Sequence, residues 1–168
     1  ATCDVAWGGG DSLSMPIAYE YEDGSVYIVD VVFNKGDKTI TRPAVVGKLK
    51  RHLPHQVMFE ANNGGDEYCD KVNEELKKDN IRLHLSHRKA PSNQSKLSRI
   101  IQAAPDIKTY YFLDKKYRSK EYAAFMKELT SFVQTGKNKH DDAPDSLAML
   151  STLINRRYGK VEAVKRPF

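Results

Sequence analysis

The 168 residues contain only two cysteines, Cys3 and Cys69, too few for a disulfide scaffold and without the paired spacing of a zinc site. A reducing compartment is the expectation. No run of about 18 uncharged apolar residues occurs, so no membrane span is expected. No signal peptide opens the chain, and the first residues already read as a strand, as if cut from something longer. The G-x-x-x-x-G-K-[ST] phosphate loop is missing, so these residues are expected neither to bind nor to hydrolyse ATP. Gly8, Gly9 and Gly10 do not make a dinucleotide fingerprint either, because Leu13 stands where its final glycine belongs. Acid is absent from residues 81–105, which carry Arg82, Arg88, Lys89, Lys96 and Arg99.

What is present describes one domain. Hydrophobic residues make up 40% and charged residues 29%, a balance that excludes both disorder and membrane spanning. At this length folding buries roughly two-thirds of the unfolded surface. The net charge of +5 permits an anionic partner such as nucleic acid without establishing one.

Periodicity orders the elements. Residues 1–7, 17–22 and 25–33 read as three antiparallel strands, the last two joined by an Asp23-Gly24 hairpin turn. A helix is expected to start at Thr41-Arg42-Pro43 and stop at Pro54, followed by a buried strand over 56–60. Helix 66–78, strand 81–86, a helix ended by Pro105, strand 108–113, helix 119–133 and helix 142–154 complete the chain. The order β-β-β-α-β-α-β-α-β-α-α implies a mixed sheet with helices on both faces.

The acids fall at informative places. Asp4 lies among apolar strand residues, where a carboxylate is costly unless paired or ligated. Glu60 closes the apolar strand Val57-Met58-Phe59, and Asp142 and Asp145 lie three apart at a helix start. If the first and fourth strands are neighbours, Asp4 and Glu60 converge, and the last helix needs only to cross that edge to add Asp145. Each acid also has a plainer reading: Asp141 or Asp142 as a helix cap, Glu60 as a polar strand end, Asp11 as a turn acid. Gathered carboxylates suit two Mg²⁺ or Mn²⁺ ions about 3.5–4 Å apart, which hydrolyse phosphodiesters.

Three blocks carry a resemblance. Residues 4–11 (DVAWGGGD), 59–65 (FEANNGG) and 140–148 (HDDAPDSLA) resemble the nuclease domain of viral terminase large subunits, the DNA-packaging motors of tailed bacteriophages. The resemblance spans the chain from Asp4 to about Ile154 and implies an α/β, RNase H-like (ribonuclease H/retroviral integrase) fold. A central mixed sheet of about five or more strands flanked by helices is expected. It implies a nuclease domain over residues 1–154, a tail over 155–168, and a metal-dependent endonuclease that cuts concatemeric double-stranded viral DNA in the host cytoplasm. By position Asp4, Glu60 and Asp145 would be catalytic and metal-binding, with Asp142 a further metal ligand and Asp11 an outer one. The cofactor would be two Mg²⁺ or Mn²⁺ ions. Partners implied are an ATPase domain elsewhere in the motor, a small terminase subunit and a portal protein, with no membrane and a monomeric isolated domain.

DNA phosphates are expected to meet Lys89, Lys96 and Arg99 of the acid-free tract, and Lys137 and Lys139 beside the last helix. Nothing resembles a base-reading helix or a stacking platform, so little sequence preference is expected. Two readings compete. One keeps the metal chemistry but takes branched or RNA–DNA hybrid substrates, as a junction resolvase or RNase H does. The other is a non-catalytic DNA-docking module of the motor. His52, His55, His84 and His87 read as surface or DNA-facing residues, and no Ser-His-Asp arrangement is supported.

Overall fold

The computed structural model describes residues 1–7, 9–90, 92–135 and 137–157. Gly8 and residues 158–168 of the expected tail lie outside them. The elements are β1 (Thr2–Cys3), β2 (Leu13–Glu20), β3 (Val26–Asn34), α1 (Lys38–His52), β4 (Val57–Glu60) and α2 (Gly65–Lys78), then β5 (Leu85–Arg88), α3 (Lys96–Ile107), β6 (Tyr111–Phe112), α4 (Lys120–Ser131) and α5 (Asp142–Arg157). Short 3₁₀ turns at Asn62–Gly64 and Lys115–Tyr117 precede α2 and α4.

β1 runs parallel to β4, and β4 parallel to β5. β2 and β3 form an antiparallel hairpin, with β6 parallel to β3 on its outer edge. The expected single sheet of five or more strands is corrected to two three-stranded sheets, β1-β4-β5 and β2-β3-β6. They meet at one isolated antiparallel bridge, where Asp4 N–H bonds Ser14 C=O (2.9 Å) and Ser14 N–H bonds Asp4 C=O (3.0 Å). The ladder stops there because β1 has ended and the chain leaves for the glycine turn.

Helices cover both faces. On one, Val45 and Leu49 of α1 and Tyr68, Val72 and Leu76 of α2 bury against Cys3, Leu13, Met15, Ile17 and Phe59. On the other, Ile100, Tyr122, Phe125, Leu147 and Leu150 from α3, α4 and α5 bury against Val26, Ile28, Val31 and Phe33. Each fully buried large apolar side chain contributes about 1.5–3 kcal/mol, so both helix layers are held firmly to the strands.

Several boundaries differ from the sequence expectation for local reasons. α1 begins at Lys38 because Asp37 caps it, accepting from Thr39 N–H, so Pro43 lies inside the helix. α3 continues through Pro105, which falls in its last turn and so leaves the preceding turns intact. The strand expected at 81–86 pairs only over Leu85–Arg88, while Ile81 and Leu83 pack against the core without a ladder. The hairpin turn is wider than two residues: Tyr21 N–H bonds Ser25 C=O at 3.0 Å and Gly24 adopts φ +81°. α5 runs to Arg157, past the expected tail boundary at residue 155. No helix of the described residues is long and apolar enough to cross a membrane.

Candidate active site

The register places the first two acids. Thr2 pairs with Met58 and Cys3 with Phe59 in parallel strands, so the next residues, Asp4 and Glu60, leave the carboxyl ends of neighbouring strands side by side. Ligand sites in open α/β sheets form at such ends. Asn62 holds Glu60 by donating from Nδ2 to Oε1 at 2.6 Å. The third acid comes from α5, which is stitched to the strands by buried hydroxyls. Thr2 Oγ1 donates to Ser146 C=O (2.9 Å), and Ser14 Oγ and Ser146 Oγ share a hydrogen bond (2.8 Å). Glu128 of α4 accepts from Ala143 N–H at 2.9 Å and fixes the start of α5. Asp145, adjacent to Ser146, is thereby carried to the strand ends and buried.

Carboxylate oxygens of Asp4, Glu60 and Asp145 lie within 4.8 Å of one another. They line an open cleft of about 610 Å³ together with Trp7, Ser12, Gln94, Lys96, Arg99 and Asp142. Burial is the largest cause raising all three pKa values; the Asp145 charge adds to the rise of Glu60, and the Asp141 charge to that of Asp145. Asp4 is displaced furthest, from 3.8 to about 7: burial dominates, Lys96 opposes it, and Glu60, Asp145 and Asp142 reinforce it.

Two cations answer this charge. Lys96 Nζ lies 2.8 Å from Asp141, 3.4 Å from Asp145 and 3.9 Å from Asp4. Arg99 Nη2 lies 3.2 Å from both Asp145 oxygens. Burial alone would lower the Lys96 pKa, but the bond to Asp141 and the charges of Asp145 and Asp4 raise it instead. Lys96 and Arg99, expected on DNA phosphates, are thus placed on the acids themselves. Lys89, Lys137 and Lys139 are exposed.

Asp142 and Asp11 are brought together elsewhere in the cleft. A carboxylate oxygen of each lies within 4.8 Å of the other and of a His140 ring nitrogen, forming a second set beside the first. The Asp142 carboxylate turns to Ser12, whose N–H donates at 2.8 Å, rather than into the Asp4, Glu60 and Asp145 group. The three-residue offset from Asp145 keeps it on one side of α5 but about 4.5 Å away along the axis. Burial is again the main cause of its raised pKa. His140 escaped the sequence reading, although it directly precedes Asp141-Asp142. Asn62 and Ser146 were missed too, since only the fold shows what they hold.

The donor set fits a hard divalent ion. Every donor of the first group is a carboxylate oxygen, Glu60 and Asp145 are buried and Asp4 half-buried, and the group already draws two side-chain cations. Mg²⁺ and Mn²⁺ favour such oxygens.

No protein-family model and no curated protein matches the chain. Solved structures do. A crystal structure of Fowlpox virus resolvase with its substrate Holliday junction DNA superposes with a TM-score of 0.55 at 15% identity, covering 93% of this chain and 99% of that one. This chain shares that resolvase's fold. Thermus thermophilus RuvC gives a TM-score of 0.48 at 15% identity, covering 94% of each chain. The resolvase superposition supports the α/β fold and gives no support to the terminase family that the motif blocks resemble.

Proposed function

We propose that this chain is a metal-dependent DNA endonuclease, with Asp4, Glu60 and Asp145 holding two Mg²⁺ or Mn²⁺ ions. One observation carries the reading: carboxylates from residues 4, 60 and 145 converge within 4.8 Å in an open, cation-walled cleft. Bound there, the ions would activate a water and neutralise charge on the phosphate and the leaving oxygen. The chain's own part is to position. The Asn62 bond orients Glu60, and α5 holds Asp145 against the strand ends. Arg99 lines the cleft, where its guanidinium, already on Asp145 through Nη2, would also meet a DNA phosphate. Lys89, Lys137 and Lys139 would track the backbone further out.

Two DNA shapes are separable. The resolvase fold, solved with a Holliday junction, favours branched DNA. The motif blocks favour concatemeric duplex cut in a packaging motor, together with the ATPase domain, small subunit and portal that such a motor has; no comparison supports those partners. Digestion of a four-way junction, a linear duplex and an RNA–DNA hybrid with Mn²⁺ or Mg²⁺ tests both. Preferential junction cutting supports the resolvase reading, and equal cutting of linear duplex supports the packaging reading. Failure to cut any substrate, or undiminished cutting by Asp4→Asn and Asp145→Asn, overturns the nuclease assignment.

A further inference from the structure

We infer that the Lys96 ammonium is a resident counter-ion of the acidic site, which a divalent ion displaces and which then passes to a phosphate of the bound DNA. The inference rests on the reading of Asp4, Glu60 and Asp145 as metal ligands and adds the regulation of that site.

The ammonium sits where it must compete. It contacts Asp145 at 3.4 Å and Asp4 at 3.9 Å, two of the three converging acids. A second cation entering between the same oxygens meets like-charge repulsion until Lys96 yields. Its place in the helix gives no other reason for the charge. Lys96 is the first residue of α3, after the Ser95 cap, where the helix dipole disfavours a cation.

The surroundings also permit departure. The shortest contact, 2.8 Å, is to Asp141, which lies outside the converging group. Lys96 can therefore release Asp4 and Asp145 while Asp141 still tethers it at the cleft wall. Arg99, one turn along the same helix, keeps Asp145 paired meanwhile. α3 itself stays anchored through buried Ile100, Ala103 and Ile107, so only a flexible four-carbon stem moves. Once displaced, the ammonium, still held by Asp141 through one of its three donors, turns the others to the open cleft and a phosphate. Metal and DNA binding are then coupled with positive sign, and each strengthens the other.

The test is Mn²⁺ binding by the protein without DNA, followed by the electron paramagnetic resonance of free Mn²⁺. Lys96→Met is expected to bind Mn²⁺ about tenfold or more tightly than the native protein, because the competitor is gone. Lys96→Arg, which keeps a cation, stays within about threefold. Unchanged or weaker binding by Lys96→Met overturns the inference, since a merely structural ion pair would loosen the site when lost. A second readout needs no variant: labelling of Lys96 by an amine-reactive reagent, read by mass spectrometry, rises severalfold when Mn²⁺ is added. No rise overturns the inference as well. Failure of the metal reading looks different: native binding that Asp145→Asn leaves untouched removes the site and the inference together.

Discussion

Asp4 shows how much a single side chain is asked to bear. Its flanking residues Cys3 and Val5 are buried and apolar; burial first, then the charges of Glu60, Asp145 and Asp142, raise its pKa to about 7. Asp4→Asn removes that repulsion at nearly constant shape, so the metal-free variant should melt at a higher temperature than the native protein at pH 8. The same variant should lose cleavage by at least about 100-fold. A lower melting temperature would refute the account of the site's electrostatics. Asn62 makes a subtler case. It touches Glu60 through one bond of 2.6 Å, and partners of this kind typically matter about 10–100-fold. Asn62→Ala should weaken Mn²⁺ binding within that range while the melting temperature holds, as titration calorimetry would show. Of these residues, Asp4 was legible from sequence because an acid in an apolar strand needs a reason. Asn62 was not, because an Asn-Asn-Gly-Gly stretch reads equally well as a turn.

Between strand and helix, the critical feature is the lack of side chains at the start of α2. A Cβ on Gly65 would stand 1.8 Å from the Glu60 carbonyl oxygen. One on Gly64, already at φ +84°, would meet the Trp7 ring at 2.9 Å. Only glycine lets the helix begin this close to the strand end that presents Glu60. Gly65→Ala should therefore cost about 1–3 kcal/mol and move Glu60, reducing both stability and cleavage; a fully active, equally stable variant would contradict this. The α5 seam is held differently. Ser146→Ala strands the buried Ser14 hydroxyl, at about 1–3 kcal/mol, measurable by denaturant unfolding. Register also builds what no single segment shows. Tyr19 pairs with Tyr27 and Tyr27 with Tyr111 across three strands, and the last two rings stack at 4.6 Å. An aromatic row assembled from residues 19, 27 and 111 leaves no local trace in the sequence.

Taken as a whole, the molecule concentrates its electrostatic cost in one cleft. Asp4, Glu60, Asp142 and Asp145 all have raised pKa values, so each binds a proton more readily folded than unfolded. Their contribution to stability is therefore fully present below the unfolded carboxylate range, from 3.8 for Asp4, and is lost as pH rises through its folded value of about 7. Asp30, paired with Lys48 and His52, has a lowered pKa and stays ionised throughout this window. Melting in a chelator should accordingly fall between pH 5 and pH 8, and millimolar Mg²⁺ or Mn²⁺ should restore it more at pH 8 than at pH 5. A flat profile, or equal rescue at both, would refute the charge argument.

Composition and periodicity determined the order of elements, the helices on both faces and the candidate acids, because these depend on local pattern and on the cost of burying charge. Pairing was decided by the tertiary structure alone. It split the strands into two sheets at the Asp4–Ser14 bridge and sent Asp142 to Ser12 and His140 instead of to Asp4. It also set Lys96 and Arg99 against the acids. Opposite charges far apart in sequence meet only after strand register and helix packing have fixed where each side chain ends, and no local rule encodes that distance.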